Sequence, residues 1–501
     1  MSDTQNESKG STRREFIQGC AGAALAAKSA SSEVLADDGR TKPNIVLVVA
    51  DDHGADALGC YGNRTIKTPH LDRLAGDGVR FSHAFCTTAS CSPSRSAILT
   101  GWHNHANGQY GLQHDFHHFQ SFDRVKSLPV LLKNAGYRTA RVGKFHVAPE
   151  AVYKFDRVLS EGKANDMQAL GRNPVEMAEH CRDFISELVD EPFFLYFCTD
   201  DPHRGLPFDS WPGPNPFGNR EAGYPGVRRI RYAPNDVEVP SFLPDIPECR
   251  AELAEYYESV SRVDQGVGRL VQILKDCGKY DNTVIIYISD NGLAFPGAKT
   301  TLYEPGMRLP CIVRTPWQKK RGITSDAMIS WTDLAPTILD MAGAKPKEGA
   351  FHGRSFRSIL DSASADGWDE IYGSHTFHEV TMYYPMRVVR GRRYKLIWNL
   401  ASALPFPFAW DLKVSSTWRA VMNSGSKVFG KKSIETFLHR PEFELYDLQE
   451  DPDEVNNLAA DKGYASILRE LQEKLKVFQE RTMDPWIADD SAHERWRSAF
   501  R

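Results

Sequence analysis

The sequence predicts an α/β protein: a large, mostly parallel mixed sheet flanked by helices, followed by a smaller C-terminal α+β domain with an antiparallel sheet and a terminal helix. Three observations lead there. Short, continuous apolar runs at 45–50, 193–197 and 284–288 read as strands covered on both faces. Stretches of helical periodicity separate them, the signature of strand-helix units. After about residue 365 the pattern changes to short mixed segments.

Taken in order, residues 1–36 read as an export signal. Arg13 and Arg14 precede a mild apolar stretch from Phe16 to Ala27 and a small-residue region at Val34-Leu35-Ala36. That is a twin-arginine pattern, used for chains exported already folded, with a disordered basic N-terminus as the alternative. It makes the Tat export machinery an expected partner and the periplasm or exterior the expected location. The catalytic unit is expected over 43–365, with a weaker strand at 139–142. Residues 205–248, dense in Pro and Gly, read as a long excursion over the active face. The C-terminal unit, 366–501, carries strand candidates at 394–398 and 443–447. It closes with a helix whose apolar face holds Ile467, Leu468, Leu471, Leu475 and Phe478.

The composition excludes several functions. With 501 residues, 41% hydrophobic and 25% charged, the chain is long enough for more than one unit. Its 61 basic against 65 acidic residues leave no excess to neutralise phosphates, so no nucleic-acid partner is expected. No apolar run reaches the 18 or so residues of a membrane span. None of the nine cysteines shows C-x-x-C zinc spacing, and eight in the exported chain are too few for a disulfide framework; most read as small buried hydrophobes.

The polar residues just beyond each strand candidate carry the chemistry. Asp51-Asp52 come after the first, Lys144 and His146 after the weaker one, Asp201 and His203 after the next, and Asp290-Asn291 after the last. In open α/β sheets ligands bind beyond the carboxyl ends of the strands, so these four clusters converge on one site. Asp51, Asp52, Asp290 and Asn291 offer only hard oxygen donors, suiting Ca²⁺ or Mg²⁺. Pro93 lies just before a helical pattern and places Cys91 at a helix N-terminus, where backbone N–H groups favour an anion.

Cys91-Ser92-Pro93-Ser94-Arg95 resembles the C-x-P-x-R signature of the sulfatase family. The likeness extends over about residues 43–487. It includes the run 107–119 (Asn-Gly-Gln-Tyr-Gly-Leu-Gln-His-Asp-Phe-His-His-Phe), the run 262–268 (Arg-Val-Asp-Gln-Gly-Val-Gly), the run 378–387 (His-Glu-Val-Thr-Met-Tyr-Tyr-Pro-Met-Arg) and Asp484-Pro485-Trp486. These longer strings are similar to the branch of the family that hydrolyses the N-sulfate of glucosamine in heparan-type glycans. Lys299 departs from that branch, which has arginine there, and Gly205 stands where the branch has a disulfide cysteine.

The resemblance implies a sulfatase/alkaline-phosphatase-like fold and oxidation of Cys91 to formylglycine (3-oxoalanine) by a separate maturating enzyme. It also implies Ca²⁺ held by Asp51, Asp52, Asp290, Asn291 and residue 91. Arg95, Lys144 and Lys299 would neutralise the sulfuryl oxygens. His203 would act as general acid to the leaving nitrogen, and His146 as the base that releases sulfate. Asp201, His378 and Glu379 are expected sugar contacts, whereas His105, His114, His117 and His118 read as ordinary surface or core histidines. An O-sulfatase on a sulfated glycan is the runner-up. A calcium-dependent glycan-binding protein is the reading if Cys91 stays unmodified. Monomer and homodimer both remain open.

Overall fold

The computed structural model describes residues 42–160, 170–205, 213–344 and 349–487, a single compact unit; residues 1–36, expected to be an export signal, lie outside them. Its centre is a nine-stranded sheet of β1 (Asn44–Ala50), β2 (Val79–Phe85), β3 (Arg138–Gly143), β4 (Arg157–Ser160), β5 (Phe193–Cys198), β6 (Thr283–Ser289), β7 (Arg308–Leu309), β8 (Cys311–Arg314) and β9 (Ile323–Ser330). The order is β4-β3-β5-β1-β6-β8-β2-β7, with β9 on β2. The half from β4 to β6 is parallel, while β8 runs antiparallel to both β6 and β2.

The apolar runs are continuous because successive side chains alternate between two cores. Ile45, Leu47 and Val49 pack with Phe194, Tyr196, Val284 and Ile286 on one face. Val46, Val48 and Ala50 pack with Phe193, Leu195, Phe197 and Ile285 on the other, under the helices Pro174–Glu187 and Pro247–Asp276.

A second sheet, order β10-β11-β12-β15, is antiparallel: β10 (Glu370–His375), β11 (Met386–Gly391), β12 (Tyr394–Asn399) and β15 (Phe443–Asp447), with a small hairpin of β13 (Val428–Phe429) and β14 (Lys432–Ser433) beside it. The helix Ala465–Arg481 lays Leu471, Leu475 and Phe478 on Val389, Leu396 and Leu445 of this sheet, the face expected from its periodicity. The other side of the sheet joins the core of the large one, since Met386, Val388, Ile397 and Tyr446 belong to the same cluster as Ile45 and Phe194. The eight described cysteines are all free. Among the described residues no helix is long and apolar enough to cross a membrane.

Candidate active site

Backbone hydrogen bonds lace the carboxyl ends of the parallel strands together. Asp51 N donates to Asp201 O, Asp290 N to Ala50 O, and Lys144 N to Cys198 O, at 3.2, 3.1 and 2.9 Å. The four polar clusters therefore emerge side by side. Asp52, His146 and Thr300 hold φ of 64°, 60° and 67°, a left-handed region that non-glycine residues seldom occupy. Such strain gathers where a site demands a particular side-chain direction.

The helix Cys91–Thr100 begins at Cys91, as Pro93 predicted, and every residue of it is buried. Thr300 N donates to Ala89 O at 2.8 Å, tying the Lys299 loop to the segment that leads into Cys91. Cys91 Sγ lies 4.0 Å from Asp52 Oδ1. Burial, reinforced by the charge of Asp51, pushes this thiol well above its usual range, so unmodified Cys91 is neutral and a poor nucleophile.

Beside it, carboxylate oxygens of Asp51, Asp52 and Asp290 all lie within 4.8 Å of one another. Burial and the neighbouring Asp51 push Asp290 up to about 8, and burial pushes Asp52 up to about 6 against the pull of Lys299. Burial would also raise Asp51, but Lys144, His203 and Arg95 hold it well below the usual range. Buried acids so crowded keep their charge only against cations. Asn291 Oδ1 and Asp51 Oδ1, the latter 3.6 Å from Arg95 NH2, are buried and accept no hydrogen bond, which leaves two oxygens with lone pairs unused beside the cluster. Oxygen donors alone, two of them without a hydrogen bond, fit a hard divalent cation.

Lys144 pairs with Asp51 Oδ2. Lys299 Nζ lies 2.9 Å from Asp52 Oδ2, 2.9 Å from His203 Nε2 and 3.2 Å from Asp411 Oδ2. His203 Nδ1 bonds Arg204 O at 2.7 Å; since only N–H can donate there, Nε2 is the acceptor of the Lys299 proton. Burial and the charge of Lys299 hold His203 well below the usual imidazole range, opposed by Asp51 and Asp411. His146 Nε2 bonds His114 Nδ1, while its buried Nδ1 has no partner.

Four residues expected to touch substrate are engaged by the protein itself. Arg95 is fully buried: its Nε bonds Asp290 Oδ2 at 2.8 Å, its NH1 bonds Lys144 O at 3.1 Å, and its NH2 lies 3.6 Å from Asp51. It braces the carboxylates instead of reaching a sulfuryl oxygen. Asp201 is no sugar contact, because its carboxylate is 0% exposed and spent on Arg172 (2.9 Å) and Arg262 (2.6 Å). Arg172 also donates to the carbonyls of His203 and Arg204, so the trio fixes the loop that carries His203. Glu379 accepts from Trp410 N at 2.9 Å and so supports the short helix Trp410–Lys413 that carries Asp411. His378 is buried, with Nδ1 2.8 Å from Ser90 Oγ, and packs beneath the start of the Cys91 helix.

Sequence reasoning gave Arg172, Arg262 and Asp411 no role, and read His114 as ordinary. Only the run 107–119 and the run 262–268 flagged the neighbourhoods of His114 and Arg262.

With this geometry in place, comparison with known proteins decides the family. Residues 43–344 match the family model "Sulfatase". The chain belongs to the sulfatase family. Residues 297–411 match a second model, "N-sulphoglucosamine sulphohydrolase, C-terminal". This sulfatase is 42% identical over 464 residues to N-sulphoglucosamine sulphohydrolase of Homo sapiens, covering 89% of this chain and 92% of that one. It is 31% identical to an ulvan-active sulfatase of Formosa agariphila, over 86% of this chain and 78% of the other.

Among solved structures, one in complex with its substrate D-glucosamine-2-N,6-O-disulfate superposes with a TM-score of 0.62 at 23% identity, over 89% of this chain and 99% of that one. A phosphonate monoester hydrolase of Agrobacterium radiobacter gives 0.61 at 20%, over 88% and 96%. Both confirm the fold. As a sulfatase the chain is a hydrolase of sulfate esters or sulfamates.

Proposed function

We propose that this sulfatase is an N-sulfoglucosamine sulfohydrolase, cleaving the S–N bond of N-sulfated glucosamine in heparan-type saccharides, with formylglycine at residue 91 and Ca²⁺ as cofactors. The observation that carries the reading is the 42% identity extending over 92% of the human N-sulphoglucosamine sulphohydrolase, together with the match to that enzyme's own C-terminal model.

Asp51, Asp52, Asp290, Asn291 and residue 91 would hold the calcium, which supplies Lewis-acid polarisation of an oxygen bound to it. Formylglycine supplies, as its hydrate, one hydroxyl able to attack sulfur and a second whose deprotonation lets sulfate go. Lys144 and Lys299, both nearly fully buried, neutralise sulfuryl oxygens as charge redistributes. Arg95 keeps Asp290 and Asp51 in place.

Expelling a sugar nitrogen without a proton would create an amide anion, so an acid is required. His203 Nε2, unprotonated in the resting site, is that acid once it has gained a proton. Asp52 and Asp411, 3.6 and 4.0 Å from Nε2, supply the negative charge that favours its protonated form. His146 is the base of the releasing step: its free Nδ1 takes the proton, and Nε2 stays anchored on His114. Export through the Tat machinery to the periplasm or exterior, and a formylglycine-generating partner, complete the proposal; the twin-arginine pattern and the Cys91 motif support them.

Mass spectrometry of the Cys91 peptide tests the modification. Sulfate release from N-sulfoglucosamine, set beside O-sulfated sugars and longer heparan saccharides, tests the substrate. Release from O-sulfated sugars alone makes the chain an O-sulfatase, and an unmodified Cys91 with glycan affinity makes it a binding protein. Cys91→Ala is expected to abolish turnover in a folded protein; comparable activity would overturn the assignment.

A further inference from the structure

Asp411 is a carboxylate to which the proposed steps give only a background part, as negative charge beside His203. The helix Trp410–Lys413 brings it to the sheet ends from more than a hundred residues beyond Lys299. Its Oδ2 lies 3.2 Å from Lys299 Nζ and 4.0 Å from His203 Nε2, and its side chain is 10% exposed. Burial would raise it, but Lys299, His203 and Arg204 hold it below the usual carboxylate range, so it is a standing negative charge.

For binding the sulfuryl group itself a further negative charge is unfavourable, because it repels the sulfuryl oxygens. Asp411 offsets the buried charge of Lys299, and at 4.0 Å from His203 Nε2 it also faces positive charge that appears on the leaving nitrogen. Sulfamates and sulfate esters differ in this respect. When S–N breaks, the electron pair of that bond stays on nitrogen, which takes the proton from protonated His203 Nε2, while sulfur would bond to a hydroxyl oxygen of hydrated formylglycine at residue 91 and that hydroxyl's proton would pass to a carboxylate such as Asp290. A basic nitrogen accepts the proton ahead of bond breaking and carries positive charge, and the released amine takes a second proton from water to become an ammonium ion. An ester oxygen accepts its proton late and leaves as a neutral hydroxyl.

We propose that Asp411 is a specificity-determining residue that favours sulfamates over sulfate esters by facing the positive charge on the departing nitrogen. The inference rests on the N-sulfoglucosamine reading. It adds a residue outside the C-x-P-x-R motif and the cation donors, and it gives a part in the reaction to a carboxylate that lies against Lys299 and His203.

The test compares Asp411→Asn, which preserves shape, and Asp411→Glu, which preserves charge, with the unaltered holoenzyme. The substrates are N-sulfoglucosamine and 4-nitrophenyl sulfate. For Asp411→Asn, kcat/KM should fall about 10- to 100-fold on the sulfamate, the scale of a lost charge-assisted contact, and little on the aryl ester. Asp411→Glu should retain the preference for sulfamate even where both rates drop.

A second readout is independent of turnover. Calorimetry on the calcium-loaded chain with unmodified Cys91 should show weaker glucosamine binding in Asp411→Asn and unchanged binding of N-acetylglucosamine, which carries no ammonium. Equal losses on both substrates, or glucosamine affinity indifferent to the substitution, would overturn the proposal and make Asp411 a positioning residue for Lys299. A wild-type enzyme that releases no sulfate from N-sulfoglucosamine would instead defeat the underlying substrate reading, and the glucosamine measurement would still decide the role of Asp411.

Discussion

Replacing Asp201 by Ala separates a structural carboxylate from a sugar contact. In the folded protein its two oxygens meet Arg172 NH1 at 2.9 Å and Arg262 Nε at 2.6 Å, and the three side chains are at most 4% exposed. Removing the carboxylate leaves two buried guanidiniums facing each other with the neutralising charge gone. Breaking a buried pair from one side costs about 3–5 kcal/mol. Two cations losing one partner places the change near the top of that range. Some relief is available from Asp200, which burial pushes up to about 6 and whose carboxylate has no hydrogen-bond partner; it can ionise further beside Arg172.

We expect Asp201→Ala to lose about 3–5 kcal/mol in urea unfolding. It should lower kcat, because Arg172 also holds the carbonyl of His203 at 2.6 Å, and leave KM for the sugar nearly unchanged. Asp201→Asn, which keeps the shape, should lose less. A variant within about 0.5 kcal/mol of wild type, the usual span of surface substitutions, with a raised KM would refute this account and return Asp201 to the substrate.

Three further outcomes are expected. Asp51→Ala and Asp290→Ala should lose bound calcium and activity together, as measured by elemental analysis and sulfate release, and chelation should mimic them; full metal content in both variants would remove these residues from the site. His203→Ala should lose about 10²–10⁴-fold on N-sulfoglucosamine and much less on an activated aryl sulfate, whose phenolate leaves unaided, and an equal loss on both would make His203 a binding residue. Burial works against ionised Asp484, but its pair with Arg387, at 2.5 and 2.7 Å, holds it down to about 2. Because the folded value lies below the unfolded 3.8, this pair stabilises the protein above about pH 4 and the benefit, about 2 kcal/mol, disappears as pH falls towards 2. Asp484→Asn should therefore flatten that part of the acid-unfolding curve, and an unchanged curve would contradict the pairing.

By itself the sequence determined the features encoded over short stretches of chain. Apolar runs at 45–50, 193–197 and 284–288 became β1, β5 and β6 because such runs suit a strand buried on both faces, and the polar residues after them had to lie at the strand ends. Pro93 placed Cys91 at a helix start, and the apolar spacing of Leu471, Leu475 and Phe478 set the buried face of the last helix. The strands β2, β7, β8 and β9 escaped notice: β7 and β8 are only two and four residues long, β2 mixes buried with half-buried positions, and β9 opens on half-buried and exposed ones, so none carries a run strong enough to read.

Only the tertiary structure decided which charge meets which. Nothing local to Arg95 tells that its guanidinium turns to Asp290, 195 positions away. Asp201 and His203 are two residues apart on one loop, yet one side chain is spent on Arg172 and Arg262 while the other faces Lys299. Asp411 lies 112 positions from Lys299 on a short helix with no motif of its own. Strand-forming patterns act between neighbours in the chain, whereas the worth of a buried charge depends on distance and burial, which exist only once the strands have brought their ends together.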